Sequence, residues 1–371
     1  MNRNEKPIDV AIIGCGRIAG HHSRSIQKVR GVRLAAVCDL VEAKATAYSK
    51  ECGVPMFTNY RTMLRDLPQI DVVAIVTPSG MHAEHAMEML TEYKKHVIVE
   101  KPTFMKPSQV NAAFDAAEKN GLTIFPVFQN RHNLAVRSVL RGIASGELGK
   151  IRICSVRVRW CRPQRYYDLA PWRGTFAQDG GALTNQGVHH IDLMRQFGGE
   201  VAQVSSTMCT LGAKIEVEDA AVAIVRYESG AIGALEITTA ARPDDFEASI
   251  SVVCENGLAQ IGGIAVNELQ IYTPDPTACA PNSEDFSGNV YGHGHEKIYQ
   301  EIAAHFLEKR AFSVSRDDCL RTIRLLDAFY RADESSGWVS PKSSGESTRL
   351  GRADEKLARL YRTPRLQVDE T

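Results

Sequence analysis

The apolar and polar positions of this chain fall into two regimes. In roughly the first third, short continuous apolar runs alternate with amphipathic stretches. Ile8–Ile13, Val32–Cys38, 72–76, His96–Val99 and 123–126 are runs of the first kind, the pattern of strands buried on both faces of a parallel sheet. Between them the spacing turns helical, from about Arg17, over 41–51 and over 107–120. The last of these is the best specified. Pro107 suits a first turn, Val110, Ala113, Phe114 and Ala117 recur at i, i+3, i+4 and i+7, and Asn120-Gly121 supplies the stop. Strand and helix in alternation predict a parallel sheet covered on both sides.

Near residue 130 the regime changes. One helix is expected at 134–143, and then a strand-rich stretch from 151 to about 271. Val156, Val158 and Trp160 alternate with Arg157 and Arg159, as on a half-buried antiparallel strand. Glu228-Ser229-Gly230 and Glu255-Asn256-Gly257 separate apolar runs and read as hairpin turns. Helices are expected again at 295–309 and 316–334. The predicted class is α/β: a doubly wound parallel sheet over 1–128, then an α+β domain with a mainly antiparallel sheet over 129–340. Residues 341–371 are polar, with weak helical periodicity over 353–361, and are expected to be flexible or laid over a neighbouring subunit.

Composition narrows the function classes. Lys plus Arg and Asp plus Glu both total 44, so no net field draws the chain to nucleic acid or anionic lipid. No apolar run reaches the roughly 18 residues a membrane helix needs, and the N-terminus has no signal-peptide core. Nine cysteines form no C-x-x-C pair, which argues against a disulfide framework and for a reducing compartment. A soluble cytoplasmic protein is expected, without nucleic-acid or membrane partners.

The candidate chemistry sits at the strand ends. Gly14-Cys15-Gly16-Arg17-Ile18-Ala19 is a G-x-G-x-x-A turn between a strand and a helix, the context that marks a dinucleotide-binding fingerprint. Gly14, Gly16, Arg17 and Ile18 are therefore candidate cofactor contacts, the pyrophosphate resting on the helix N-terminus. Asp39 ends the second strand, where a carboxylate accepts from a ribose 2′-OH and selects NAD over NADP. Thr77, Pro78, Ser79 and His82 follow the next main strand, placed to cap a helix and to line the nicotinamide ribose. Glu100, Lys101 and Pro102 end the strand after that, and Gln129 and Arg131 the last one. Lys101 would point its ammonium over the carboxyl edge of the sheet, where open α/β sheets bind ligands.

In the second half, Gly180-Gly181-Ala182-Leu183-Thr184-Asn185-Gln186-Gly187-Val188-His189-His190-Ile191-Asp192 is the dense constellation. As a helix it puts Asn185 and His189 on one face, with Asp192 at i+3 placed to orient the imidazole. A histidine titrating near neutrality beside a positioned lysine suits removal of a hydroxyl proton while hydride leaves the same carbon. His189, His190, Asp192, His293 and His295 match no established zinc spacing, so no metal is expected. Arg165, Tyr166, Trp172 and Arg173 form a loop of arginines and aromatics suited to phosphate recognition, in which Trp172 either stacks on a ligand or packs between domains.

Together the runs Val-Ala-Ile-Ile-Gly-Cys-Gly-Arg-Ile-Ala, Glu-Lys-Pro-Thr and Gly-Gly-Ala-Leu-Thr-Asn-Gln-Gly-Val-His-His-Ile-Asp resemble the Gfo/Idh/MocA oxidoreductase family over nearly the whole chain to about residue 340. The resemblance implies a Rossmann domain, then a domain whose large sheet has an open face that commonly makes homodimers and homotetramers. It implies NAD as cofactor and Lys101 with His189 as the catalytic pair. Polyol dehydrogenases of this family usually carry Asp four residues before the histidine, whereas this chain has Asn185. With Trp172-Arg173-Gly174 upstream, that Asn resembles the branch oxidising the 3-hydroxyl of UDP-linked N-acetylglucosamine or its uronic acid. Those enzymes feed an aminotransferase in surface polysaccharide or lipid A synthesis, and some recycle a tightly held NAD with 2-oxoglutarate, a candidate second partner here. In this reading Asn185 positions the sugar, and Arg131, Asn133, Arg165, Tyr166 and Arg173 are candidates for the diphosphate or uronate. The alternatives are a free-polyol or aldose dehydrogenase, a non-catalytic NAD or sugar sensor, and a reductase of a small imine or enone.

Overall fold

A computed structural model describes residues 6–286 and 291–365. Its first six strands are β1 (Ile8–Ile13), β2 (Val32–Cys38), β3 (Met56–Phe57), β4 (Val72–Ile75), β5 (His96–Val99) and β6 (Ile124–Pro126). They form an all-parallel sheet in the order β3-β2-β1-β4-β5-β6. The order reverses between β1 and β4, which opens a crevice at their carboxyl ends. Val10, Ile12, Val72 and Ala74 are buried on one side of the sheet, and Ala11, Ile13, Val73 and Ile75 on the other. That is why these strands read as unbroken apolar runs. The helix after the glycine turn begins at Ala19, because residues 14–18 form the turn itself.

The second sheet contains β7 (Ile151–Arg159), β8 (Val201–Cys209), β9 (Ala220–Tyr227), β10 (Ile232–Thr238), β11 (Glu247–Cys254), β12 (Leu258–Gly262) and β13 (Glu268–Tyr272). Its order is β13-β12-β11-β7-β10-β9-β8, antiparallel except between β7 and β10. The two expected hairpin turns join β9 to β10 and β11 to β12. Along β9, Ala221, Ala223, Val225 and Tyr227 are buried while Val222 and Ile224 are each 55 % exposed. One face therefore packs on helices, and the other stands open.

The late helices do not all stay with the second sheet. Gly294–Glu308 places Ile298, Tyr299, Ile302 and Ala303 in the core under β1 and β4. Arg316–Ser335 bridges the two layers, with Cys319, Leu320 and Ile323 in the first core and Leu325 to Ala332 in the second. The boundaries read from the pattern thus cut across a chain that returns to its first domain. The tail also corrects its expectation, since residues 341–365 lie on the chain's own body. Leu350 is fully buried, Ser347 N–H donates to Asp327 at 2.7 Å, and Arg349 pairs with Asp333 and Glu334. Arg362 reaches Glu84 at 2.6 Å, and Asn59 donates to the Pro364 carbonyl at 3.0 Å. Arginines of the tail meet acids of the body, a complementarity that composition alone does not locate.

Candidate active site

The crevice at the strand ends is a cleft of about 600 Å³. Its floor is the glycine turn. At Gly14, φ is +95° and a Cβ would come within 2.5 Å of the Val76 carbonyl oxygen, so only glycine lets β1 and β4 close there. A Cβ at Gly16 would meet no protein atom within 4 Å, which leaves that backbone open to an incoming phosphate. Arg17 and Ile18 line the same wall. Asp39 is held by backbone N–H groups, from Cys15 at 2.7 Å and Val41 at 2.8 Å. Its carboxylate keeps lone pairs for a ribose hydroxyl. The residues fit a dinucleotide.

Thr77, Pro78, Ser79 and His82 line the cleft beside them. Ser79 opens a short 3₁₀ turn, and no side chain caps it or the following helix. The order comes instead from His82, whose ring nitrogens lie 2.8 Å from the Pro102 carbonyl and 3.0 Å from the Thr77 carbonyl. Glu100 is buried and accepts from His22 and His295, each at 3.0 Å, and from the Lys101 N–H at 2.8 Å. Burial works against its charge, yet the hydrogen bonds from His22 and His295 hold Glu100 well below the usual carboxylate range. Among the described residues this is the group whose donor atoms could converge on a metal. His22 and His295 already satisfy the carboxylate by donating to it.

Lys101 projects from the end of β5 to the second domain. Its ammonium donates to the Asn185 carbonyl at 2.6 Å and to Asn185 Oδ1 at 3.2 Å. Burial lowers the Lys101 pKa, with Glu100 and Asp179 opposing the shift. Asn185 lies in a π turn, Ala182–Gln186, followed by the helix Val188–Gly198. The expected single helix is therefore broken at Gly187. Glu218 supports the turn from below, accepting from Leu183 N–H at 3.0 Å. His189 is 7 % exposed, and neither of its ring nitrogens has a hydrogen-bond partner among the described residues. Burial, and then the Lys101 ammonium, push His189 well below the ordinary histidine range, so its imidazole is neutral near pH 7. His190 turns away and packs edge-on against Trp160.

Several sequence candidates do not reach the cleft. Asp192 does not orient His189, because Arg131 takes it through Nε at 2.7 Å and Nη2 at 2.5 Å, and Thr322 adds a bond at 2.7 Å. Arg131 is thereby a buried tie that also pairs with Asp318. Asn133 donates to the Ala265 and Val266 carbonyls. Gln129 is buried against Gly294, and Arg165 is exposed outside the cleft wall. Tyr166, Trp172 and Arg173 do line the cleft. The Arg173 guanidinium lies 4.3 Å from the Tyr166 ring centre and 4.5 Å from that of Trp172, and Arg162 covers Tyr166 at 5.6 Å. Sequence reading missed Tyr48, whose hydroxyl donates to the Gly16 carbonyl at 2.8 Å, and Leu360, Tyr361 and Thr363 of the tail, which complete the wall. No local signal marks these residues. Asp179, which binds Asn185, was legible only as an acid next to the double glycine.

Both domains have counterparts among known proteins. Residues 8–128 match the family described as "Oxidoreductase family, NAD-binding Rossmann fold", and residues 136–260 match "GFO/IDH/MocA C-terminal domain". The WlbA dehydrogenase from Bordetella pertussis, solved in complex with NADH and UDP-GlcNAcA, is 31 % identical with a TM-score of 0.85, covering 91 % of this chain and 98 % of that one. The WlbA enzyme from Chromobacterium violaceum, with the same two ligands, is 32 % identical with a TM-score of 0.82, covering 91 % and 96 %. The scyllo-inositol 2-dehydrogenase (NAD(+)) of Bacillus subtilis (strain 168) is 26 % identical over 243 residues, 62 % of this chain and 67 % of its own.

Proposed function

From the premise that the chain belongs to the GFO/IDH/MocA family and is an NAD-dependent dehydrogenase of sugars or polyols, we propose that it oxidises C3 of a UDP-linked N-acetylglucosamine-type sugar to the 3-keto sugar. The observation that carries this reading is Arg173 in the cleft wall, its guanidinium against the Tyr166 and Trp172 rings, in the same cleft as Lys101. A guanidinium held on aromatic rings suits a diphosphate or a uronate, and a neutral polyol needs none. The likeness to two enzymes solved with UDP-GlcNAcA supports it. A free polyol is the second reading, favoured by the likeness to an inositol dehydrogenase.

The roles follow from the local electrostatics. The neutral His189 accepts the C3 hydroxyl proton at one of its unpartnered ring nitrogens. The Lys101 ammonium donates to the same oxygen and lowers its pKa. Asn185 holds the lysine and faces the sugar without adding a charge. When bound, NAD supplies the hydride acceptor. We place the protein in the cytoplasm, in keeping with nine free cysteines. The open sheet face, with Val222, Ile224 and Ile232 more than half exposed, is where a second copy would dock.

The test is a substrate panel with NAD, with and without 2-oxoglutarate: UDP-N-acetylglucosamine, its uronate, inositol and glucose. Turnover of a UDP-sugar supports the proposal, and turnover of free polyols alone contradicts it. Lys101→Ala should cut turnover on the order of 10³-fold while NADH binding, read by fluorescence, stays unchanged.

A further inference from the structure

We propose that Asp179 is a positioning residue for Lys101: its carboxylate fixes which way the Asn185 amide faces and so presents the Asn185 oxygen to the lysine. This rests on the reading of Lys101 as catalytic. Asp179 is 2 % exposed. Its Oδ2 accepts from the Gly174 N–H at 2.7 Å, and its Oδ1 accepts from Asn185 Nδ2. Asn185 Oδ1 is then turned to the Lys101 ammonium at 3.2 Å. A chain of contacts therefore runs from the loop carrying Trp172 and Arg173, through two side chains, to the lysine.

Hydrogen-bond parity makes the order of those two side chains matter. Both ends of the chain, the Gly174 N–H and the Lys101 ammonium, can only donate. The side chain at 185 must offer Lys101 an oxygen, so a carboxamide there turns its NH₂ to residue 179. Residue 179 must then accept on both sides with a separate oxygen for each donor, which a carboxylate does and a carboxamide does not. Two carboxamides leave one donor facing another wherever they are rotated. The reverse order, Asn at 179 and Asp at 185, restores every donor–acceptor contact and conserves the charge. Two carboxylates would need a shared proton. The other charged groups around Lys101 are Glu100, Arg173 and Arg162, with His189 neutral beside them, and none of them is altered by these exchanges.

The experiment compares wild type, Asp179→Asn and the double variant D179N/N185D as full chains. Three quantities are measured: kcat and KM with UDP-N-acetylglucosaminuronate, NADH affinity, and the pH profile of Lys101 acylation by acetic anhydride, read by mass spectrometry. Asp179→Asn should lower kcat about 10- to 100-fold, leave NADH affinity unchanged and move the acylation profile to lower pH. The double variant should recover most of kcat and return the profile towards that of wild type. A single variant within about twofold of wild type, or a double variant no better than the single, overturns the proposal. If Asp179→Asn does not fold, the double variant decides alone: folded and active supports the proposal, folded and inactive overturns it. If wild type does not turn over the UDP-sugar, the functional reading fails, and the acylation profiles alone decide the role of Asp179.

Discussion

Replacing Glu218 with Gln should remove a loss of stability that the protein otherwise suffers as pH rises from acid to alkali. Glu218 is 4 % exposed beneath the π turn that carries Asn185. Its Oε1 accepts from Leu183 N–H at 3.0 Å and from the Tyr330 hydroxyl at 2.8 Å, while Oε2 has no partner among the described residues. Burial pushes its pKa from 4.5 up to about 8. Between those values the unfolded chain has lost the proton and the native chain keeps it. The native state thus binds more protons, and stability falls as pH rises through the window and levels off above about 8. A difference of about 3.5 units at 1.36 kcal/mol each is on the order of 5 kcal/mol. Gln does not titrate, and its carbonyl can replace Oε1 as the acceptor. Any cost of its buried NH₂ is the same at every pH and cancels in the comparison. Urea unfolding of both proteins at about pH 5 and about pH 9 should give a stability difference that shifts in favour of the variant by at least about 2 kcal/mol. An equal difference at the two pH values would mean that Glu218 is ionised in the folded protein.

Two further outcomes follow from side chains placed outside sequence expectation. Arg131→Ala should destabilise the fold by about 3–5 kcal/mol, because it strands the buried Asp192, and leave KM for the sugar unchanged at temperatures where the variant is folded. A raised KM without lost stability would return Arg131 to the substrate. A chain ending at residue 353 loses Leu360, Tyr361 and Thr363 from the cleft wall and the Arg362–Glu84 pair. Its NADH release, followed by stopped-flow fluorescence, should be faster by about tenfold, and an unchanged rate would show that the tail does not help to hold the cofactor.

Local pattern carried the fold wherever burial is repeated along the chain. β1, β2 and β5 are legible because both faces of a parallel strand are apolar. β9 to β12 are legible because alternation and turn residues coincide there. The two-residue β3 is too short to leave a period. At the site, Gly14, Asp39 and Lys101 were legible because each lies at a strand end, and Asn185 because it stands four residues before His189. The pairing of Asp192 with His189 failed because helical spacing only permits such a contact. Arg131 and Thr322, distant in sequence, compete for the same carboxylate and take it. The tail failed for a related reason: its arginines find Asp333, Glu334 and Glu84 in three dimensions, and polarity alone resembles a free extension.

In the proposed reaction hydride leaves C3 of a UDP-linked sugar. This is tested most directly with UDP-N-acetylglucosaminuronate carrying deuterium at C3, incubated with the protein and NAD and analysed by mass spectrometry. The expected products are a sugar lighter by three mass units and a reduced cofactor heavier by one than NADH. A sugar that keeps its deuterium, whether oxidised elsewhere or not at all, would contradict the proposed reaction.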